Sequence, residues 1–366
     1  MGEFSPRGAR DHVASSGRGA AQEAAPAGIF ADDGALTRPV PIVAPRRVGD
    51  SELSVYPFAL GAGRLAEVDE VAAGRILHRF AVRAGGLIDV VDVDRSGRSE
   101  EVVGLWLKRE RPAAAVLALS PSLTRDASGL AGGARLRRAV EASLTRLGVE
   151  HVDLLVLDLG SAELSMEQQL GAAEQLVAEG KVRYLAASAA TADQLLQARL
   201  LAAEGLPRLV AVRNAWDATS APRSADEVRM VAAAQGLALL PDASAASLAL
   251  AAPSLPQKVL AGWGRNAKLS LAVNTRVVAP APERATDVLV GRGRPHRIAV
   301  ALDRVSAELE VAPVTTHAAW LLAKRGVVAP IVSVTRADQL EPLMDAAAVR
   351  LTRSQMLELD RAIDER

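Results

Sequence analysis

The sequence predicts an α/β fold, a (β/α)8 TIM barrel, and three observations carry that expectation. From about Arg46 onward, short apolar runs alternate with amphipathic stretches, the pattern of strand-helix units wrapped around a parallel sheet. The runs are apolar on both faces, as strands buried on both sides require. About eight alternations fill about 320 residues, which suits one closed barrel better than two open-sheet domains.

The elements follow in order. Residues 1–45 are rich in Ala, Gly, Arg, Ser and Pro without sustained periodicity. Such a segment buries too little apolar area to offset its ordering entropy, so it is expected to be a disordered tail before a barrel spanning 46–366. Strands are expected at Leu87–Val93, Ala114–Leu119, Val152–Leu157, Val182–Ala187, Leu209–Val212, Leu237–Leu240 and Ile331–Val334. The clearest helix covers Ala134–Leu147, where Leu136, Val140, Leu144 and Leu147 recur at helical spacing and Gly148 supplies the stop. Further helices are expected at Met166–Glu179, Thr191–Glu204, Ala225–Gln235, Arg297–Leu309, Thr315–Lys324, Ala337–Ala347 and Arg353–Ile363. The stretch 252–295 has weak periodicity and reads as a long loop over one barrel end.

Composition narrows the function. Lys plus Arg and Asp plus Glu both count 43, so no global field draws this chain to nucleic acid or anionic lipid. The absence of cysteine removes disulfides and thiolate chemistry. No apolar run reaches the roughly 20 residues needed to span a bilayer, and the N-terminus lacks an apolar signal core, so a soluble cytoplasmic protein is the default expectation. Tyr56 and Tyr184 are the only tyrosines, leaving two candidates for any chemistry that needs a phenol.

Five segments in order resemble landmarks of the aldo-keto reductase family, (β/α)8 barrels that reduce carbonyls with NADPH. Arg47 to Gly61 resembles the family's floor-closing hairpin. Gly97-Arg-Ser-Glu-Glu-Val-Val-Gly104, Ser143–Asp158, Glu179-Gly-Lys-Val-Arg-Tyr-Leu-Ala-Ala-Ser188 and Ala318–Leu340 match the rest. Hydride delivery to a carbonyl builds alkoxide charge. The resemblance implies a tyrosine proton donor, a lysine paired to an aspartate that lowers its pKa, and a histidine that orients the carbonyl. On these positions the chain carries Asp89 for the aspartate, with Asp92 as the alternative equivalent, Asp94 for the tyrosine, Ser120 for the lysine and Asp158 for the histidine. Tyr56 and Tyr184 are expected at the opposite end of the barrel from the active face.

The resemblance also implies where the cofactor, NADPH, would be held. Its nicotinamide contacts fall on Ser188, followed by Ala189 instead of asparagine, and on Asn214, with Leu240 at the stacking tyrosine. Its phosphate contacts fall on Ser333, Thr335, Arg336 and Gln339, while Leu343 replaces the residue that reads adenine. A helix start at that loop would favour phosphate.

Three functions are compatible with these residues. One is a barrel that has lost standard reduction and serves binding, regulation or scaffolding toward a small-molecule or protein partner. Another is a repurposed lyase, isomerase or cyclase whose clustered carboxylates Asp89, Asp94 and Asp158 act as acid and base or hold a divalent cation. The third is a residual reductase that relies on Ser188 and Arg336 for cofactor. Against the sharper readings stands simple drift of polar residues into a wet cavity, with Asp89 paired to a nearby arginine. No two histidines have ligand spacing, and the run Gly291-Arg-Gly-Arg-Pro-His-Arg297 reads as solvated loop, phosphate contact or lid remnant. Trp216 is the better pocket candidate, and Trp320 reads as core.

Overall fold

The computed structural model describes residues 43–81, 85–91, 96–110, 112, 115–121, 132–215, 222–243 and 293–364. The expected tail up to residue 42, the stretch 252–292, Asp92, Asp94 and Trp216 lie outside the described residues.

A two-stranded antiparallel hairpin comes first, with β1 (Arg46–Arg47) pairing β2 (Ser54–Val55). Eight parallel strands follow: β3 (Ala59–Gly61), β4 (Leu87–Val91), β5 (Val116–Ser120), β6 (Val152–Asp158), β7 (Val182–Ser188), β8 (Leu209–Arg213), β9 (Ala238–Leu239) and β10 (Ile331–Val332). Each pairs with its predecessor from β4 to β9, and β10 returns to pair β3. Closure between β9 and β10 is made by Leu239 bridging Val327 and Asp242 bridging Ile331, with Val328 donating to Leu239 O at 2.9 Å and Ile331 donating to Pro241 O at 2.8 Å. The sheet is thus a barrel, and among the described residues its eight strands close without a free edge.

Helices lie between the strands and after the last of them: α1 (Glu70–Ala81), α2 (Arg98–Glu110), α3 (Gly132–Leu147), α4 (Met166–Ala178), α5 (Ala192–Ala203), α6 (Pro222–Ala234), α7 (Gly293–Leu309), α8 (Pro313–Ala323), α9 (Leu340–Asp345) and α10 (Arg353–Asp364). Ser165 and Thr191 begin α4 and α5 with reciprocal capping boxes to Gln168 and Gln194, satisfying backbone donors that a helix start leaves open. The start of α7 corrects the expected loop boundary, since Gly293 to Arg297 are already helical; Pro295 within the first turn is compatible with this, because the donor it lacks has no partner there. The single helix expected at Ala337–Ala347 is a 3-10 turn, Ala337–Gln339, followed by the short α9, because Pro342 cannot donate within a longer α-helix.

Side-chain parity along each strand separates two cores. Leu60, Ile88, Leu119, Leu155, Leu185, Val212 and Val332 point outward to the helices. Ala59, Leu87, Ala118, Leu154, Val156, Ala186, Ala211, Ala238, Leu240 and Ile331 fill the barrel interior, together with Val48, Leu53 and Val55 of the floor hairpin. The interior set contains many alanines, which leaves room for a long side chain above them.

The motif Gly97–Gly104 has a structural explanation. Buried Glu100 accepts from Ser143 Oγ at 2.7 Å and pairs with Arg146, tying α2 to α3. A Cβ on Gly104 would come within 2.4 Å of Arg146 O, so only glycine permits the helices to approach this closely. Ser99 Oγ donates to Val91 O at 3.0 Å, fixing α2 onto the end of β4.

Candidate functional site

Two residues beyond the last apolar interior layer, the inward positions become polar on strand after strand. Leu87 is followed by Asp89, Ala118 by Ser120, Val156 by Asp158, Ala186 by Ser188, Ala211 by Arg213 and Ile331 by Ser333, while β3 ends in Gly61. This ring lies at the C-terminal mouth, where barrel enzymes place their chemistry.

Arg213 lies at its centre, 5% exposed, beside Asp89, 1% exposed. Its Nη1 donates to Ser120 Oγ at 2.7 Å and its Nη2 to Asp242 Oδ2 at 3.2 Å. Its Nε is 3.4 Å from Asp89 Oδ2, close enough for an ion pair. One guanidinium therefore joins β4, β5, β8 and the segment after β9, using a rigid planar fork that a lysine lacks. Sequence reasoning singles out neither Arg213 nor Asp242. The signal that could have found Arg213 is parity: the strand expected at Leu209–Val212 ends one residue later, and Arg213 shares the inward face of Ala211.

Burial dominates the electrostatics. Removal from water raises the Asp89 pKa to about 6, Arg213 opposes the rise, and the neighbouring Asp242 carboxylate adds to it. Asp89 Oδ1 has no hydrogen-bond partner among the described residues, so the ion pair serves only one of its two buried oxygens. For Arg213, burial works to lower the pKa, but Asp89 first and then Asp242 and Asp158 reverse this and raise it. The two shifts are compatible because, among the described residues, the arginine faces several carboxylates, whereas Asp89 faces one cation and a competing anion.

Asp158 is exposed at the end of β6. Partial desolvation raises its pKa, while the Gly160 N–H, donating to Oδ1 at 3.1 Å, and Arg213 oppose the rise. Its solvent contact weakens these effects. Asp158, Ser188 and Arg213 are register neighbours across β6, β7 and β8. The structure thus brings Asp89, Ser120, Asp158 and Ser188 to one mouth; Asp94 lies outside the described residues. Among the described residues, no three acidic or histidine side chains form a group able to hold a metal ion.

Several of the groups expected to hold NADPH have partners within the chain. Ser188 Oγ donates to Leu157 O at 3.3 Å. Both amide atoms of Asn214 bind the Ala190 backbone, at 3.2 and 2.8 Å, which places this side chain outside the inward ring. Ala189 between these partners holds a left-handed φ of 50°. At the phosphate end, Gln339 Oε1 accepts from the N–H groups of Thr335 and Arg336, at 2.9 and 3.1 Å. The Arg336 guanidinium is closed onto Asp338, which raises the arginine's pKa and lowers the aspartate's. Ser333 Oγ lies 2.4 Å from the position a Cβ on Gly61 would take. In this arrangement Asn214, Gln339 and Arg336 each have a partner within the chain, the Arg336–Asp338 pair being exposed to solvent.

Both tyrosines are at the opposite end. Tyr56 is buried between the hairpin and β3, with its hydroxyl 3.5 Å from Met344 O. Tyr184 OH accepts from the Glu52 N–H of the hairpin at 3.3 Å. His317 stacks against buried Trp320, whose Nε1 donates to Asp360 at 2.7 Å, and no helix among the described residues is long and apolar enough to cross a membrane.

Comparisons with known proteins agree with the barrel. A model described as the aldo/keto reductase family matches residues 57–364. Norsolorinic acid reductase of Aspergillus flavus is 24% identical, covering 84% of this chain and 78% of its own length. The norsolorinic acid reductase of Emericella nidulans is 26% identical over 82% of this chain and 74% of its own. An aryl-alcohol dehydrogenase of Pestalotiopsis microspora is 23% identical over 86% of this chain and 80% of its own.

Proposed function

The chain belongs to the aldo/keto reductase family, and on that premise we propose that it has lost NADPH-dependent carbonyl reduction by the tyrosine route and uses its barrel for binding, regulation or scaffolding. The observation that carries this reading is the position of the two tyrosines, whose hydroxyls are engaged by Met344 O and the Glu52 N–H at the floor. Charge growing on a carbonyl oxygen needs a donor within about 3 Å, and the mouth has no phenol to supply one because the chain contains no third tyrosine. Ser120 stands at the lysine's position and is bound by Arg213, while Asp158 stands at the histidine's. The engaged Asn214, Gln339 and Arg336 support weak hold on the cofactor as well.

The test is NADPH oxidation by the purified full chain with a panel of aldehydes and ketones. The proposal expects none above the protein-free rate, and turnover at ordinary enzyme rates sinks it. The names of the relatives, reductases and a dehydrogenase, make retained reduction the outcome this assay must be able to detect.

A second reading, a non-redox lyase, isomerase or cyclase, is favoured by the buried Asp89 with its raised pKa and unpartnered Oδ1. It requires an acid or base that a substrate can touch, and Asp158 at the exposed rim is that group. If Asp158→Ala left every measured turnover unchanged, this second reading would fall.

A further inference from the structure

We propose that the Arg213 guanidinium is a clamp across the barrel mouth and that Asp89 is the proton-exchanging group governing its hold, so that protonation of Asp89 releases the β4 anchor. The inference is independent of whether the protein reduces carbonyls.

The geometry gives the clamp three contacts beyond its own strand. Arg213 projects inward from the end of β8, meets Ser120 Oγ on β5 at 2.7 Å and Asp242 Oδ2 beyond β9 at 3.2 Å, and faces Asp89 Oδ2 on β4 at 3.4 Å. β4 and β5 are neighbours, as are β8 and β9, and the side chain spans the opening between these two pairs. Its base is the alanine-rich interior layer formed by Ala118, Ala186, Ala211 and Ala238, which is too small to exclude a long side chain.

A clamp made by arginine cannot be opened by deprotonating the cation, since guanidinium stays charged throughout the physiological range. Exchange must occur on the carboxylate side. Among the described residues, Gly61 from β3 and Ala118 from β5 stand opposite Asp89 in register, and the charged groups acting on it are Arg213 from β8 and Asp242 from beyond β9. Asp158 from β6 acts on Arg213 from the rim. Asp242 is partly exposed, with a side chain 31% accessible, whereas the Asp89 side chain is 2% accessible. Desolvation therefore falls most heavily on Asp89 and brings its titration to about 6. A proton taken from water by Asp89 removes the negative charge facing Nε and leaves Arg213 held by Ser120 and Asp242.

The experiment is an NMR titration of full-length protein with isotopically labelled aspartate side chains, from about pH 4 to about pH 9, with the Asp89 signal assigned by Asp89→Asn. Wild type is expected to show a midpoint well above the ordinary aspartate range. Arg213→Met is expected to raise that midpoint by about one unit or more, since the cation facing Asp89 is lost. Adding Ser120→Lys to Arg213→Met should bring it back down, because an ammonium carried by β5 would enter the volume the guanidinium vacates. An ordinary wild-type midpoint overturns the proposal, as does an Arg213→Met midpoint equal to wild type or a Ser120→Lys addition that restores nothing. Should Arg213→Met fail to fold, Arg213→Lys is the substitute. Its shorter, single-headed cation should raise the midpoint by a smaller amount, and an unchanged midpoint there would be equally fatal.

Discussion

Arg213 Nη1 and Ser120 Oγ are 2.7 Å apart although their strands, β8 and β5, are three positions apart around the barrel. The contact exists because Ser120 is short, Ala211 beneath the arginine is small, and Asp89 and Asp242 offset part of the cost of burying a guanidinium. Among the described residues, the mouth is therefore organised around one internal cation.

Removing that cation leaves Asp89 buried without compensation. Arg213→Met is expected to lower stability by about 3 kcal/mol at pH 8 and by less at pH 5, where Asp89 can protonate to relieve the penalty. Urea unfolding at the two pH values measures the difference, and equal losses would contradict the account.

Asp89 also sets a slope of stability with pH. Its folded pKa, about 6, lies above the ordinary aspartate value of 3.8, so between these values the native state binds more protons than the unfolded state. The stabilising contribution is fully present below about pH 4 and is lost as pH rises through about 6, amounting to on the order of 2 to 3 kcal/mol. Other carboxylates act in the opposite sense, so the test is the difference between wild type and Asp89→Asn. Stability of wild type relative to the variant should fall from about pH 4 to about pH 7.

Gly104→Ala should destabilise by about 2 kcal/mol or more, the usual scale of overpacking, because its Cβ would meet backbone atoms of Arg146 and Leu147 at 2.4 and 2.9 Å. Gly171, with nothing within 4 Å of its would-be Cβ, is the control: Gly171→Ala in the interior of α4 should stabilise by about 0.5 to 1 kcal/mol. Thermal unfolding of both variants distinguishes crowding from a general intolerance of substitution.

Ala189 holds φ at 50°, a region costing an L-residue about 1 kcal/mol. Ala189→Gly should raise stability by about 0.5 kcal/mol in urea unfolding, the relieved strain exceeding the extra entropy glycine loses on folding. Ala189→Val should lower it, since a branched side chain suits that conformation worse still.

Much of the barrel is legible in the sequence because apolar residues on both faces of a strand and glycine at helix ends have local causes. Val152, Val182 and Leu209 begin strands at the positions their apolar runs predict, and Gly148 has the left-handed φ of 67° expected of a helix stop. The two-residue β9 is shorter than its apolar run suggests, because its pairing depends on contacts with Gly326 and Val328, far away in the chain. At the mouth, family landmarks point to Asp89, Ser120 and Asp158. They do not point to Arg213, since a polar residue closing an apolar run reads as the end of a strand. Recognising it as the centre of the ring requires knowing that β4, β5 and β8 face one another. The engagement of Gln339 with Thr335 and Arg336 is equally invisible in sequence, where all three read as free phosphate contacts.

The measurement that tests the central claim most directly is transfer of deuterium from NADPH, deuterated at the carbon that delivers hydride, to aromatic and aliphatic aldehydes incubated with purified full-length protein. Mass spectrometry of the alcohols should find no label above the protein-free control. Stoichiometric label, undiminished in the Tyr56→Phe/Tyr184→Phe variant and accumulating over many turnovers, would show that this mouth still reduces carbonyls with another donor and would contradict the account.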